Sequence, residues 1–392
     1  MCVCGWHTGR NKHTELLLAL SYVLVFVWSG CVSAFEENER STHARAMLRR
    51  AAVRCLATST AAPASNVVSI PLFYNDIYHV KLPSTSSFPM EKYRFVREAL
   101  QRETAVSKLA MFYESPLASL RDLTTVHTEE YVRRFLSNEL SRDENRRIGF
   151  PWTEQSRDRA LSSTGGTIAA THAVCQGAHS GSGPLYGGHI AGGTHHAFAD
   201  RGEGYCVFND IAVAAGVALR DYPETVRKIL VVDLDVHQGN GCARIFADDE
   251  RVVTYSQHCE RNLFSARETS DFDIDVPDGA GDDDYLLLLN EHLPPVFAST
   301  KPDLVFFQAG VDPHLDDRIG RLQLTTAGLK KRNAIVYELA AKHACRLVLT
   351  MGGGYPRDLD PSSAPFHRVI QAHMDCYRMC MTAHAKLMRS AE

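Results

Sequence analysis

Four short runs constrain this chain more than any other feature: KILVVDLD (228–235), RVVTYSQH (251–258), DLVFFQAG (303–310) and RLVLTMGGG (346–354). Each is rich in β-branched residues and nearly continuously apolar, the pattern of a strand buried on both faces. Helical patterns separate them. Residues 91–109 set Tyr93, Val96, Leu100 and Val106 at near-helical spacing with charges between, which predicts one amphipathic surface helix. Asn209 and Asp210 cap the small-residue run IAVAAGVAL, and Thr325-Thr326 open a further helix over 325–344. Buried strands alternating with helices are the signature of a doubly wound parallel sheet. Each run also ends in a polar or glycine-rich segment. Open α/β sheets bind ligands at the carboxyl ends of their strands, so these four ends are predicted to line one crevice.

The chemistry sits at those ends. Segment 233–241 reads Asp-Leu-Asp-Val-His-Gln-Gly-Asn-Gly. In extended chain, residues two apart share a face, so Asp233, Asp235 and His237 point the same way. Such a group cannot be buried without a compensating cation or protons. A lone Asp-x-His reads better as a strand-end ion pair, but Asp312 supplies a second carboxylate just past another strand. Asp235, His237 and Asp312 make a triad with room for water and substrate, as a catalytic zinc requires, and its carboxylates also admit Fe(II) or Co(II). His195 and His196 lie in a glycine-rich segment, 192–210. Beside such a metal they read as proton-transfer groups, although a second metal pair or a solvated loop is the plainer reading of either alone. Gly352-Gly353-Gly354-Tyr355 after the last run suggests a phenol presented into the crevice, as against a core tyrosine behind a flexible turn.

These four segments, in this order, resemble the histone deacetylase superfamily from about Ile70 to His384. The details are most similar to the class IV enzymes and related bacterial and plant proteins: DRGEGYCVFNDIAVAA (200–215), DLDVHQGNG (233–241), DVPDGAGDDDYL (275–286) and DRIGRLQLT (317–325). The resemblance implies a three-layer α/β fold of the arginase/deacetylase type, its mostly parallel sheet covered by helices on both faces. It makes Asp235, His237 and Asp312 the ligands of one Zn2+ per chain, His195 and His196 the catalytic pair, and Tyr355 the oxyanion donor. Asp233 would orient His195 and Asn240 would orient His196, which then turns neutral more readily than it would beside an Asp. Gly204, Tyr205, Ile319 and Gly353 match positions that contact the acyl-lysine, and Asp233, Asp235, His237 and Ser256 match a structural K+ site that rests largely on backbone carbonyls. The implied reaction is removal of acetyl or longer acyl groups from lysine in histone or other proteins. Arginase-like ureohydrolases need a carboxylate where this chain has Gly239, and Asp-x-Asp where it has Asp312-Pro313-His314. An acetylpolyamine amidohydrolase uses the same chemistry on small amines. An inactive acyl-lysine-binding scaffold would have lost a ligand or the tyrosine, and none is missing.

Charge and cysteines bound the partners. The chain carries −4 overall, but residues 1–66 hold seven Lys/Arg against four Glu, which leaves −7 on the remainder. So acidic a domain suits a cationic substrate better than a phosphate backbone, and direct nucleic-acid binding is not expected. No CxxC occurs among the 11 cysteines, and Cys175, Cys206 and Cys345 in apolar surroundings read as small hydrophobes. Residues 1–66 read as a leader set apart from a catalytic domain at 67–392. The apolar run over 16–32 is signal-like, or alternatively an anchor, and Arg40–Asn66 has five Arg and no acid, as transit peptides do. That predicts a plastid or mitochondrial address, with nucleus or cytoplasm as the alternative, and a mature domain that is not membrane-embedded.

Overall fold

The computed structural model describes residues 68–390, except 83–85, 87 and 181–182. The leader reading falls outside the described residues. Eight strands form one sheet in the order β2-β1-β3-β8-β7-β4-β5-β6. They are β1 (Ile70–Tyr74), β2 (Ala110–Glu114), β3 (Tyr186–His189), β4 (Ile229–Asp233), β5 (Val252–Cys259), β6 (Phe272–Val276), β7 (Leu304–Gln308) and β8 (Arg346–Thr350). Every pairing is parallel. The four runs named above are β4, β5, β7 and β8, three of which fill the centre of the sheet. All residues of β4 and β7 are buried, which is why their sequences run apolar without alternation.

Helices cover both faces. On one side lie α1 (Lys92–Arg102) and, later in the chain, the helices Asp282–Thr300, Thr326–Lys342 and Ala364–Ser390; side chains such as Val96, Leu289, Val336 and Phe366 pack there with Leu230, Val305 and Leu347. On the other, Tyr131, Val132, Ile168 and Ile211 pack with Ile229, Val231 and Phe306. The helix Asp210–Asp221 starts where expected, the Asn209 side chain accepting from the Ala212 N–H, and its alanines allow close approach to the sheet. Thr325 caps the helix Thr326–Lys342 in the same way.

One expected helix is broken. Residues 91–109 form α1 and then a separate turn, α2 (Thr104–Ser107), because Glu103 between them is extended, with ψ 115. Its carboxylate pairs with Arg378 of the C-terminal helix, a contact that sequence spacing could not reveal. The seven cysteines of the described residues are all free and buried.

The strand ends are held from behind by Arg332, which is fully buried on the helix Thr326–Lys342. Its guanidinium donates to the carbonyls of Leu234 (3.1 Å) and Gly310 (2.6 Å), one residue before Asp235 and two before Asp312, and to the Asn333 side chain at 2.9 Å. Replacing it leaves those carbonyls unpaired in a dry interior, each costing on the order of 1–3 kcal/mol. Arg332→Met is therefore expected to lower unfolding stability by about 2–5 kcal/mol in urea titration. The exposed neighbour Lys331, changed to Met as a control, should stay within about 0.5 kcal/mol of wild type.

Candidate active site

The ends of β4, β7 and β8 converge as the sequence pattern requires. Asp235, His237 and Asp312 are buried and offer ligand atoms that all lie within 4.8 Å of one another. His237 Nδ1 is 3.1 Å from Asp235 Oδ1 and 3.4 Å from Asp312 Oδ2. The remaining carboxylate oxygens are taken up by main chain: the Val236 N–H donates to Asp312 Oδ1 and the Gly353 N–H to Asp235 Oδ2, both at 2.9 Å. Asp312 Oδ2 is buried with no hydrogen-bond partner. An orphaned carboxylate oxygen facing an imidazole and a second carboxylate is the signature of a divalent-cation site, and the donor set of two carboxylates and one imidazole fits that charge. Gly353 is required here by close approach, since a Cβ would stand 1.9 Å from Asp312 Oδ2.

His195 and His196 pack beside this triad with ring centroids 4.0 Å apart and their planes tilted by 43°. Their partners differ in charge. His195 Nδ1 meets Asp233 Oδ2 at 2.6 Å, whereas His196 Nδ1 meets Asn240 Oδ1 at 2.7 Å. The Asn240 amide is oriented by donating to Glu203 Oε1 (2.9 Å) and Ser265 Oγ (3.0 Å), so its oxygen must face His196. His196 Nδ1 therefore carries the hydrogen and its Nε2 is left as an acceptor. Burial disfavours the charged form of both rings. At His195 the carboxylates of Asp233 and Asp235 outweigh that and lift the pKa to about 9. At His196, burial and then the neighbouring His195 and His237 hold it well below the ordinary value.

Tyr355 and Gly353 line the same small cavity, about 40 Å³, as His195, His196, Asp235 and His237, which is room for water-sized groups. The glycine turn carrying Tyr355 is clamped on both sides. Lys92 on α1 is buried, donates to the carbonyls of Gly352 (2.9 Å) and Gly354 (3.3 Å), and lies 5.3 Å from the centre of the Tyr355 ring. Asp317 accepts from the N–H groups of Tyr355 (2.6 Å), Ile319 (2.9 Å) and Gly320 (2.8 Å), fixing two walls of the site at once. Burial, then Asp312 and Asp235, hold the Tyr355 hydroxyl protonated by raising its pKa well above the usual value.

Gly204, Tyr205 and Ile319 line a wider mouth of about 420 Å³ that opens over His196, His237 and Tyr355. Tyr205 adopts the left-handed region at φ +66, a strain on the order of 1–3 kcal/mol, and its N–H donates to Ile148 O at 2.8 Å. Gly204 beside it leaves space for Phe264, 2.3 Å from where a Cβ would sit. The exposed Phe264 in turn stands edge-on to His196 at 4.8 Å.

Two matters lie beyond the sequence reading. Asp233 and Ser256 are register partners on β4 and β5, but the Asp233 oxygens are engaged by His195 and the Asp235 N–H, and the Ser256 hydroxyl by His258. Those contacts leave a site built largely of backbone carbonyls unaddressed, and the K+ reading gains no support. Lys92, Asp317, Glu203 and Ser265 were not singled out as site residues. Lys92 sits at a charged position of an amphipathic pattern, where a lysine reads as solvated, and only the fold turns it inward.

A family model for the histone deacetylase domain matches residues 86–367. An uncharacterized protein of Picosynechococcus sp. is 37% identical over 74% of this chain and 94% of its own length. A probable deacetylase of Archaeoglobus fulgidus is 31% identical over 68% of this chain and 75% of its own. The histone deacetylase HDA1 of Candida albicans is 31% identical over 63% of this chain, though over only 32% of its own. In fold, the crystal structure of the HDA15 HD domain superposes with a TM-score of 0.60 at 21% identity, covering 82% of this chain and 95% of that one. With its fold, the order of its motifs and these matches, the chain belongs to the histone deacetylase family.

Proposed function

We propose that this protein is a metal-dependent hydrolase that removes acyl groups from the side-chain amine of lysine in proteins, and that it belongs with the class IV enzymes its motifs resemble. The observation that carries this reading is the orphaned Asp312 oxygen facing Asp235 and His237, beside two histidines of opposite protonation tendency. Asp235, His237 and Asp312 would hold the ion, with zinc favoured and Fe(II) or Co(II) compatible with the carboxylates. When bound, such an ion polarises an amide carbonyl and acidifies water.

The chain's own groups supply the proton movements. His196, neutral and with Nε2 free, accepts the proton of the water that attacks the amide carbon. The Tyr355 hydroxyl, held protonated, donates to the oxyanion as charge forms there. His195, kept cationic by Asp233, favours that developing negative charge and gives the site a second proton donor. The C–N bond then breaks as a histidine proton moves to the departing nitrogen, leaving free lysine amine and carboxylate. Lys92 and Asp317 act through position only, holding the turn that carries Tyr355.

The purified protein, assayed in parallel with acetyl-lysine peptide, myristoyl-lysine peptide and acetylpolyamine, should turn over a lysine peptide. Turnover of acetylpolyamine alone would replace the protein-substrate reading, and binding of acyl-lysine without turnover would favour the scaffold. Tyr355→Phe keeps the ring and removes one oxyanion donor, so kcat should fall roughly 10²–10³-fold with KM little changed. A core tyrosine behind a flexible turn would instead give near-normal turnover. Lys92→Met removes a charged donor from two carbonyls of the turn, and a loss of about 1.4 kcal/mol of alignment lowers kcat about tenfold. Its KM and metal content should remain near wild type, whereas a purely structural lysine would cost stability and leave kcat of the folded fraction intact.

A further inference from the structure

The mouth over the candidate site carries a charge opposite to that of the domain around it. Its lining includes Arg146, Arg147, Arg261 and Arg321 and no aspartate or glutamate. Arg146 and Arg147 end the helix Arg142–Ile148, where Gly149 turns the chain back against Tyr205. Arg261 follows β5, and Arg321 follows Ile319 on the opposite wall. The walls are tied together: Asn262 accepts from the Arg321 N–H at 2.6 Å and donates to Ile319 O at 3.0 Å, and Arg321 donates to Arg261 O at 2.7 Å.

These guanidiniums are poorly neutralised. Arg261 and Arg321 share the single carboxylate of Asp278, at 3.8 and 3.6 Å. Arg146 has one highly exposed pair with Asp143. Arg147 is exposed and has no ion-pair partner among the described residues. Four cations thus have two carboxylates between them, Asp143 and Asp278, neither of which lines the mouth, on a domain whose composition carries −7. The whole-chain charge suggested a cationic substrate; at the place a substrate passes, the sign is reversed.

An acylated lysine is neutral, so its neighbours set the charge brought to this rim. A basic tail or a polyamine would place cations against arginines, and an acidic segment would supply the missing partners. We propose that the mouth selects acyl-lysines embedded in acidic peptide segments, with Arg147 and the Arg261–Arg321 pair as the specificity-determining groups. The inference rests on the deacylase reading above and narrows its substrate class.

Three acetyl-lysine peptides of equal length, flanked by Asp/Glu, by Ser/Gly or by Lys/Arg, test it with the purified full chain. At low ionic strength the acidic peptide should exceed the neutral one roughly three- to tenfold in kcat/KM, mostly through KM, with the basic peptide below both. Raising the salt should compress the difference, because these charges are exposed. Arg147→Gln should lower the acidic-to-neutral ratio. Equal kcat/KM for the three peptides, a preference for the basic one, or a preference unmoved by both salt and Arg147→Gln overturns this inference and leaves the deacylase reading intact. Failure of all three peptides overturns the deacylase reading, and this inference with it.

Discussion

Burying carboxylates at the ends of parallel strands is the constraint on which this structure turns. Asp233, Asp235, Asp312 and Asp317 all lie almost fully out of water within one region of the fold. Each would be prohibitively costly there without partners. The chain answers with main-chain N–H groups for most of the oxygens, an imidazole for Asp233, and Arg332 and Lys92 anchored on carbonyls around them. One oxygen, on Asp312, is left unanswered. An ion bound there would complete the set, so the same constraint shapes both the fold behind the site and the chemistry in front of it.

A second consequence is the contrast in surroundings between adjacent histidines. Rings 4.0 Å apart are pushed in opposite directions: against burial, the carboxylates of Asp233 and Asp235 raise the pKa of His195, whereas burial and the neighbouring His195 and His237 lower that of His196. Paired groups whose environments push them apart are how a single site runs acid and base steps at one pH. The amide is oriented by donating to Glu203, Ser265 and the Ala266 carbonyl, so the asymmetry reaches beyond the ring it controls.

The central architecture and the site were legible for a physical reason. Strands β4, β7 and β8 are buried on both faces, so their sequences are continuous apolar runs, and the polar residues that end them stand out. Other strands gave no such signal. β6 is an edge strand with Phe272 partly exposed, and β3 reads Tyr-Gly-Gly-His, where two glycines erase β-propensity. The single helix expected over 91–109 is broken at Glu103, which is extended and whose carboxylate meets a partner 275 residues away. Contacts of that range also explain why Lys92 and Asp317 escaped notice: a lysine in an amphipathic pattern and an aspartate in a turn acquire their roles only when α1 and the segment after β7 meet the glycine turn after β8. The arginines of the mouth come from three separated segments, and whole-chain charge concealed them.

The most direct measurement of the central claim is the metal content and turnover of the wild-type protein beside Asp312→Ala. The account predicts one divalent ion per chain in the wild type, with loss of both ion and activity in the variant, because two remaining ligands cannot hold an open site. Full activity in a chelator-stripped, metal-free wild-type preparation would contradict it.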